Sequence, residues 1–244
     1  MIRNLSEHLT GIALGVRFRP NFSLEDKLGE IVDSILYSKD SLFDQKIFPE
    51  VNYNIGTKTL MNKDNNNKLV VDYSNIVLEI GFEENSGFEK NDTNDIIEAF
   101  RRQIINGVLK QHHVQDIIRT GYIQRHIFNI EGLAQLFINK TLGDTVDGVK
   151  EISLKFTKKL PLALSLVKQD VNDYDNVIYT VNKRSNESSI SIAMDYQSFS
   201  DPYLENSESI NFHQFIHRAN NYSKNNFLTW INSYYKEVLF EKAI

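Results

Sequence analysis

A stretch that occurs twice is the feature of this sequence that most constrains its fold. Residues 15–25 read GVRFRPNFSLE and residues 121–131 read GYIQRHIFNIE. A gapless alignment pairs identical residues at Gly15/Gly121, Arg19/Arg125, Phe22/Phe128 and Glu25/Glu131. Two copies of one unit predict a protein built from two similar halves. The alternative is that any joint between a strand and a helix has this pattern and that the identities arose by chance.

Each copy is predicted to be a strand that leads into a helix. Apolar residues alternate with small or polar ones from Ala13 to Phe18, which is the pattern of a half-buried strand. Ser23 and Asn129 can cap the first turn of a helix, and a glutamate follows each of them, where the helix dipole favours negative charge. Apolar residues at helical spacing continue after both copies.

The first copy is followed by short segments typical of antiparallel hairpins. Turn residues separate four β-like segments at residues 47–54, 57–61, 68–73 and 76–82. An acidic loop comes next. A helix with one apolar face then closes the first half near Gln111.

The second copy is followed by a similar order of elements. We expect a helix over residues 130–140, strands over 150–156, 162–167, 177–181 and 188–196, and a final helix over 209–240. The hairpin pairs 162–167 with 177–181, and the polar stretch Asn220–Asn226 predicts a kink in the final helix. The sequence thus predicts an α+β fold of two similar halves, residues 1–111 and 112–244. Each half has a strand, a helix, antiparallel strands and a long helix, with the helices packed on one face of each sheet.

Composition narrows the classes of function. A chain of 244 residues with 41% hydrophobic and 24% charged residues is typical of a soluble globular protein. Its net charge of -5 argues against a nucleic-acid partner, because proteins that bind nucleic acids usually have a basic face. The absence of cysteine excludes disulfides, a thiol nucleophile and cysteine-ligated metals. Without a signal peptide or a long apolar run, we expect a cytoplasmic protein that does not enter a membrane.

The repeated stretch also carries the candidate binding residues Arg17, Arg19, Arg125 and His126. If the halves pack about a pseudo-twofold axis, Arg19 and Arg125 lie symmetrically and can bind an anion or an acidic partner. The alternative is that these arginines form structural ion pairs with Glu25 and Glu131.

Metal sites are weakly indicated, and no cofactor is predicted. His213 and His217 stand one helical turn apart, as in a zinc site, but Gln214 replaces the glutamate that would act as the general base. A solvated histidine pair is therefore the favoured interpretation. Asp170, Asp173 and Asp175 lie in the predicted hairpin loop, where turn chemistry is favoured over calcium or magnesium binding.

The final helix carries the candidate interface residues Trp230, Tyr234 and Tyr235. Packing within the chain's own core is the favoured role of Trp230. A contact with a protein partner or with a second copy of the chain is the alternative.

The chain resembles one bacterial family on three short segments. These are Gly15-Val16-Arg17-Phe18, which fits an apolar-Gly-x-Arg-aromatic strand, Asp195-Tyr196 and Phe212-His213. The family is sporadically distributed, has a similar length and is functionally uncharacterised. The resemblance implies no established activity. The patchy distribution of the family implies an accessory role or a role in antiphage defence.

The leading hypothesis is a non-enzymatic binding or assembly protein that acts as an accessory subunit of a larger system. A protein partner or self-association is expected. The alternative is an enzyme or an anionic-ligand-binding protein, with its site in the cleft between the halves around Arg19, Arg125 and His126.

Overall fold

A single antiparallel sheet of nine strands runs through the molecule. The structure, a computed structural model, describes residues 2–38, 41–83, 85–130, 132–142, 151–161, 174–183, 188–199 and 210–241. The strands are β1 (Leu9–Phe18), β2 (Glu50–Asn54), β3 (Thr57–Met61), β4 (Lys68–Asp72), β5 (Asn75–Gly81), β6 (Ile117–Phe128), β7 (Ile152–Pro161), β8 (Tyr174–Lys183) and β9 (Ile190–Phe199). Their order across the sheet is β2-β3-β4-β5-β1-β6-β9-β8-β7.

The two similar stretches, residues 15–25 and 121–131, begin in the two central strands. β1 pairs with β6 in antiparallel orientation, and Gly15 lies directly opposite Gly121. The other neighbour of β1 is β5, and the other neighbour of β6 is β9. Because the first strand of each half pairs with the other as well as with its own last strand, the halves share one continuous sheet. This corrects the expectation of a separate sheet for each half.

Helical segments follow β1 and β5 on one side of the sheet centre, and β6 and β9 on the other. The α-helices are α1 (Phe22–Glu25), α2 (Leu28–Tyr37), α3 (Thr93–Phe100), α4 (Leu133–Leu142), α5 (Phe212–Tyr222) and α6 (Leu228–Glu241). Short 3₁₀ turns lie at Leu5–His8 and Lys90–Asp92. None of the helices in the described part of the chain is both long and apolar enough to span a membrane.

The helix after β5 and the helix after β9 both change from α to π geometry along their length. α3 continues into a first π segment, Arg101–Lys110, and α5 continues through a second π segment, Ser223–Phe227, into α6. The second π segment overlaps the stretch in which the sequence predicts a kink. A π turn widens the backbone ring and shifts the register of the residues that follow.

The helices cover one face of the sheet and enclose a single hydrophobic core. Alternate strand residues such as Leu14, Leu78 and Ile192 are almost fully buried on this helix side. The rings of Phe100 and Phe212 lie 5.6 Å apart, so the helices of the two halves meet in that core. Burying each such side chain contributes about 1.5–3 kcal/mol before conformational entropy is counted.

The structure corrects the predicted hairpin of the second half. β8 pairs with β7, so Val177 lies opposite Lys158, and residues 162–173 are outside the described residues. Asp175 therefore belongs to a strand instead of a loop. Its carboxylate is buried and accepts hydrogen bonds from the Tyr196 hydroxyl and from Arg218 Nε, the latter at 3.0 Å. This contact fixes α5 onto β8 and β9, while Asp170 and Asp173 lie outside the described part.

Candidate functional site

The sheet surface opposite the helices is the open face. It is formed by the strand residues that alternate with the buried ones, because successive side chains point to opposite sides of a strand. Across its centre, Gly15 lies between Val77 and Gly121, and Gln197 follows beyond Gly121. These pairings define which side chains of distant strands are neighbours on this surface.

A small depression marks the centre of the open face. It has a volume of about 90 Å³ and is lined by the two glycines together with Arg17, Arg119 and Asp195. A Cβ atom added to Gly121 would come no closer than 4.0 Å to the Asp195 carboxylate, and one added to Gly15 would lie 3.4 Å from Val77. The missing side chains of these glycines therefore create the depression, and strain in the backbone has no part in it.

Asp195 is the acidic group at this depression. Gln197 Nε2 donates to Asp195 Oδ2 at 2.5 Å. Burial raises the pKa of the Asp195 carboxyl, and the Gln197 hydrogen bond and the charges of Arg119 and Lys155 offset only part of that effect. The Asp195 carboxyl thus lies at the same depression as Arg17 and Arg119, and its partial removal from water costs free energy.

The open face carries more cations than carboxylates, although the whole chain is acidic. In the described part of the chain, its cationic residues are Arg17, Lys68, Arg119, Arg125, Lys155 and Lys159. Its carboxylates are Glu50, Asp72, Glu79 and Asp195. The cations are concentrated on the central strands and on β7, whereas Glu50 and Asp72 lie on the far side. On the four central strands, three arginines stand beside two carboxylates, Glu79 and Asp195, so this part of the face has an excess of positive charge.

A row of cations and aromatic rings crosses one end of the open face. The Arg119 guanidinium lies 6.0 Å from the centre of the Phe199 ring, which stacks on Tyr174 at 5.0 Å. The Lys159 ammonium lies 3.8 Å from the centre of the Tyr174 ring. Cations over aromatic faces hold their charge in fixed positions, so this row is a preorganised cationic surface.

Arg125 occupies the other end of the open face in an ion-pair network. Its Nη2 lies 2.8 Å from Glu79 Oε2, and Lys68 Nζ lies 2.9 Å from Glu79 Oε1. Burial raises the pKa of the Glu79 carboxyl, but the hydrogen bond from Lys68 and the charge of Arg125 outweigh it, so the pKa is lowered. One carboxylate thus balances two cations at this end.

The structure does not bring the predicted binding residues together. Arg17 and Arg125 lie on the open face, whereas His126 is buried on the helix side, because consecutive residues of β6 face opposite ways. Arg19 follows β1 and pairs with Asp116, with Nη1 and Oδ2 3.2 Å apart. Arg19, Arg125 and His126 therefore cannot form one site.

Both arginines have ion-pair partners that the sequence did not single out. Arg19 pairs with Asp116, and Arg125 pairs with Glu79. Glu131 lies outside the described residues.

The two weak metal candidates lie on the surface of α5. His213 and His217 are exposed, and His217 Nε2 lies 2.9 Å from Asn221 Nδ2. Within the described ranges, no cluster of three or more histidine or carboxylate side chains has the geometry to hold a metal ion.

The candidate interface residues pack against aromatic neighbours from the same chain. Trp230 is half-buried, and its ring lies 5.0 Å from Tyr179 and 5.8 Å from Phe137. Tyr234 stacks on Phe137 at 4.9 Å. Tyr235 belongs to α6, but its side chain is outside the described part. This packing agrees with the core role that the sequence favours for Trp230.

Sequence reasoning did not single out Arg119, Asp195, Gln197, Lys155 or Lys159 as site residues. The available signal was polar residues at every second position of a strand, as in Lys155, Thr157 and Lys159 of β7. Such alternation identifies a solvated face within one strand. It does not show which strands are neighbours, and the site depends on the pairing of β1, β6 and β9.

Comparisons with known proteins add no assignment. No protein-family model matches the chain, and no curated protein is significantly similar to it in sequence.

Proposed function

We propose that this chain is a non-enzymatic binding protein whose open face receives an acidic segment of a protein partner. The observation that carries the proposal is the concentration of cations around the central depression of a chain with net charge -5. A positive face favours acidic partners.

The neighbouring arginines suit carboxylate recognition. Arg17 lies opposite Arg119 across the β1–β6 pair, so two guanidinium groups border one side of the depression. Guanidinium groups bind carboxylates through paired hydrogen bonds, which fixes orientation as well as charge. Asp195 and Gln197 on the next strand supply an acceptor and an amide for the backbone of the same segment.

The chemistry of this face favours binding over catalysis. Arginine and lysine stay protonated near neutral pH, so they attract anions without exchanging protons with them. The accessory role in a larger bacterial system, implied by the resemblance, belongs to this proposal as well, since such a subunit works by contact.

We also propose that the chain arose by duplication of one unit. The support is the outward order of strands from the sheet centre: β1, β5, β4 and β3 on one side correspond to β6, β9, β8 and β7 on the other. A π segment in the last helix of each side is a second correspondence. An experimental structure tests this by superposition of residues 9–110 on residues 117–241. Unrelated backbone paths of the matched strands would contradict it.

Affinity capture from native cells tests the binding proposal. Tagged wild-type chain is compared with the double variant Arg17→Gln/Arg119→Gln and with Gly121→Val, which fills the depression with an unstrained strand residue. We expect a stoichiometric acidic protein that the wild type retains and both variants lose. Cross-links from Lys155 or Lys159 to carboxylates of that protein should map the contact to the open face.

Lys46→Gln is the matched control, because Lys46 is exposed and lies outside the open face. It should retain the partner like the wild type. Equal capture by the wild type and the open-face variants would overturn the proposal. So would capture of nucleic acid alone through Arg17 and Arg119.

A further inference from the structure

A second cavity lies on the other side of the sheet, above β6. It has a volume of about 570 Å³ and is bordered by the N-terminal residues, the start of α3 and the second π segment. We call it the β6 cleft. A volume of several hundred Å³ is in the range of small-molecule sites, whereas a single ion needs far less.

The floor of the β6 cleft is a buried polar chain. Tyr122, Gln124 and His126 are successive helix-side residues of β6, and Ser223 is the first residue of the second π segment. Ser223 Oγ donates to Gln124 Oε1 at 2.7 Å, and Gln124 Nε2 donates to the Tyr122 hydroxyl oxygen at 3.1 Å. All four side chains are at least nine-tenths buried. The core here is polar where apolar residues would pack at lower cost.

Two polar groups of this floor have unused hydrogen-bonding capacity. The Tyr122 hydroxyl oxygen accepts a hydrogen bond from Gln124, and a phenol can in addition donate its own hydrogen. Among the described residues, His126 Nδ1 is buried and has no hydrogen-bond partner. Leaving a buried polar group unpaired costs about 1–3 kcal/mol, so such groups are typically kept for a role.

The rim of the β6 cleft is cationic. Arg3, Lys90 and Lys224 line it, and none of its described lining residues is an aspartate or glutamate. Lys90 Nζ donates to the Glu7 carbonyl oxygen at 2.7 Å, which fixes its ammonium group near the N-terminal residues. Those residues are themselves anchored: the Ile2 amide donates to Asn232 Oδ1, and Asn232 Nδ2 donates to the Ile2 carbonyl, both at 2.9 Å. The rim is therefore built from three separate segments, which are the N-terminal residues, the 3₁₀ turn at Lys90–Asp92 and the second π segment.

Burial also determines which groups are charged. Burial lowers the pKa of His126 to about 3, so this imidazole is neutral near pH 7. Burial raises the pKa of Tyr122 to about 12, so the phenol keeps its proton. The cleft thus combines a positive rim with a neutral hydrogen-bonding floor.

We propose that the β6 cleft binds a small organic phosphate. The phosphate lies at the rim among Arg3, Lys90 and Lys224, and the uncharged polar part of the ligand reaches Tyr122 and His126. Three separate cations suit a dianion, and the deep neutral floor suits a hydroxylated or heterocyclic group. This site lies on the opposite side of the sheet from the open face, so its test does not depend on the proposed partner surface.

Titration calorimetry of the full chain tests this proposal with adenosine monophosphate, inorganic phosphate and citrate as probes. We expect adenosine monophosphate to bind more tightly than inorganic phosphate, and citrate to bind more weakly than adenosine monophosphate. Loss of one charged contact in Lys224→Gln should weaken the binding of adenosine monophosphate about tenfold. Lys46→Gln, an exposed lysine outside the β6 cleft, should bind as the wild type does.

Tyr122→Phe removes only the buried hydroxyl. It should weaken the binding of adenosine monophosphate and leave the binding of inorganic phosphate unchanged. If that variant does not fold, the exposed Lys224→Gln variant still decides the matter. Absence of binding by both phosphate probes, or equal affinities of Lys224→Gln and Lys46→Gln, would overturn the assignment. Equal binding of inorganic and organic phosphate would overturn the role of the floor, and tighter binding of citrate would overturn the choice of phosphate.

Discussion

His126 is the residue whose protonation should matter most for the stability of the fold. Its ring is buried between Phe128 at 6.0 Å and Phe227 at 5.1 Å. Burial and the nearby charge of His8 lower its pKa to about 3, below the usual value of 6.5. Between these two values the unfolded chain binds a proton that the folded chain does not, so stability is lost as the pH falls.

We predict that the free energy of unfolding decreases below about pH 6.5 by up to about 1.4 kcal/mol per pH unit from this residue alone. Urea denaturation at a series of pH values measures the slope. In His126→Gln the slope should become smaller between pH 6 and pH 4, at some loss of stability at neutral pH. The control His217→Gln, on an exposed residue of α5, should keep the wild-type slope. An unchanged slope in His126→Gln would contradict the assigned pKa.

Single residues also show what the sequence alone did not predict. Arg125 and His126 are adjacent in the chain, and both have side chains that can bind anions. Only the knowledge that β6 continues to Phe128 places them on opposite faces. That length was hidden because the buried positions of β6 include Gln124 and His126, which obscure the apolar alternation on which strand prediction depends.

At the scale of elements, the second π segment determines how the C-terminal helix meets the sheet. Ser223 and Phe227 within it are buried, while Lys224, Asn225 and Asn226 are exposed. The extra residue of a π turn sets the rotation of α6, and this rotation directs Trp230 and Ile231 toward the core.

Insertion of one alanine after Asn225 should rotate α6 by about 100° relative to α5, because each α-helical residue turns the chain by that angle. Trp230 and Ile231 would then leave their neighbours, so we expect a loss of about 3–5 kcal/mol of stability. Urea denaturation followed by Trp230 fluorescence measures it, with a red-shifted emission in the folded state.

Asn225→Ala is the control for that insertion. It removes an exposed side chain without altering the helix register and should change stability by less than about 0.5 kcal/mol. Wild-type stability in the insertion variant would show that the core does not depend on the register of α6.

The elements themselves were predictable to different degrees. The strand Thr57–Met61 coincides with its prediction because turn residues flank it on both sides. The polar stretch Asn220–Asn226 indicated an irregular helix, although not its π geometry. β8 was predicted too short and with the wrong partner, because its buried Asp175 looks like a loop residue until Arg218 from a distant helix is seen to pair with it.

At the scale of the whole molecule, one sheet and one core imply one folding unit. β1 and β6 pair along most of their length, and the rings of Phe100 and Phe212 connect the helices across the same boundary. Neither half can unfold without exposing the central strand of the other. This coupling was not visible in the sequence, where the repeat pointed to two halves without indicating how they join.

We therefore predict a single cooperative unfolding transition. Trp230 is the only tryptophan and reports on the second half, so its fluorescence midpoint in urea should coincide with that of far-UV circular dichroism. A reporter in the first half is obtained with Phe43→Trp in a Trp230→Phe background. Its midpoint should coincide with the circular dichroism of the same protein. Two separated midpoints within one variant would show that the halves unfold independently.

β7 is the outermost strand of the described sheet on its side, and it is ten residues long. An outer strand of this length offers a row of amide and carbonyl groups to which another molecule could add a strand of its own. Lys155, Lys158 and Lys159 are exposed along it, and Pro161 at its end has no amide hydrogen to donate. The like charges would repel a second β7, so these lysines oppose aggregation through this edge. Neutralising them should increase aggregation in solution without lowering the stability of the fold.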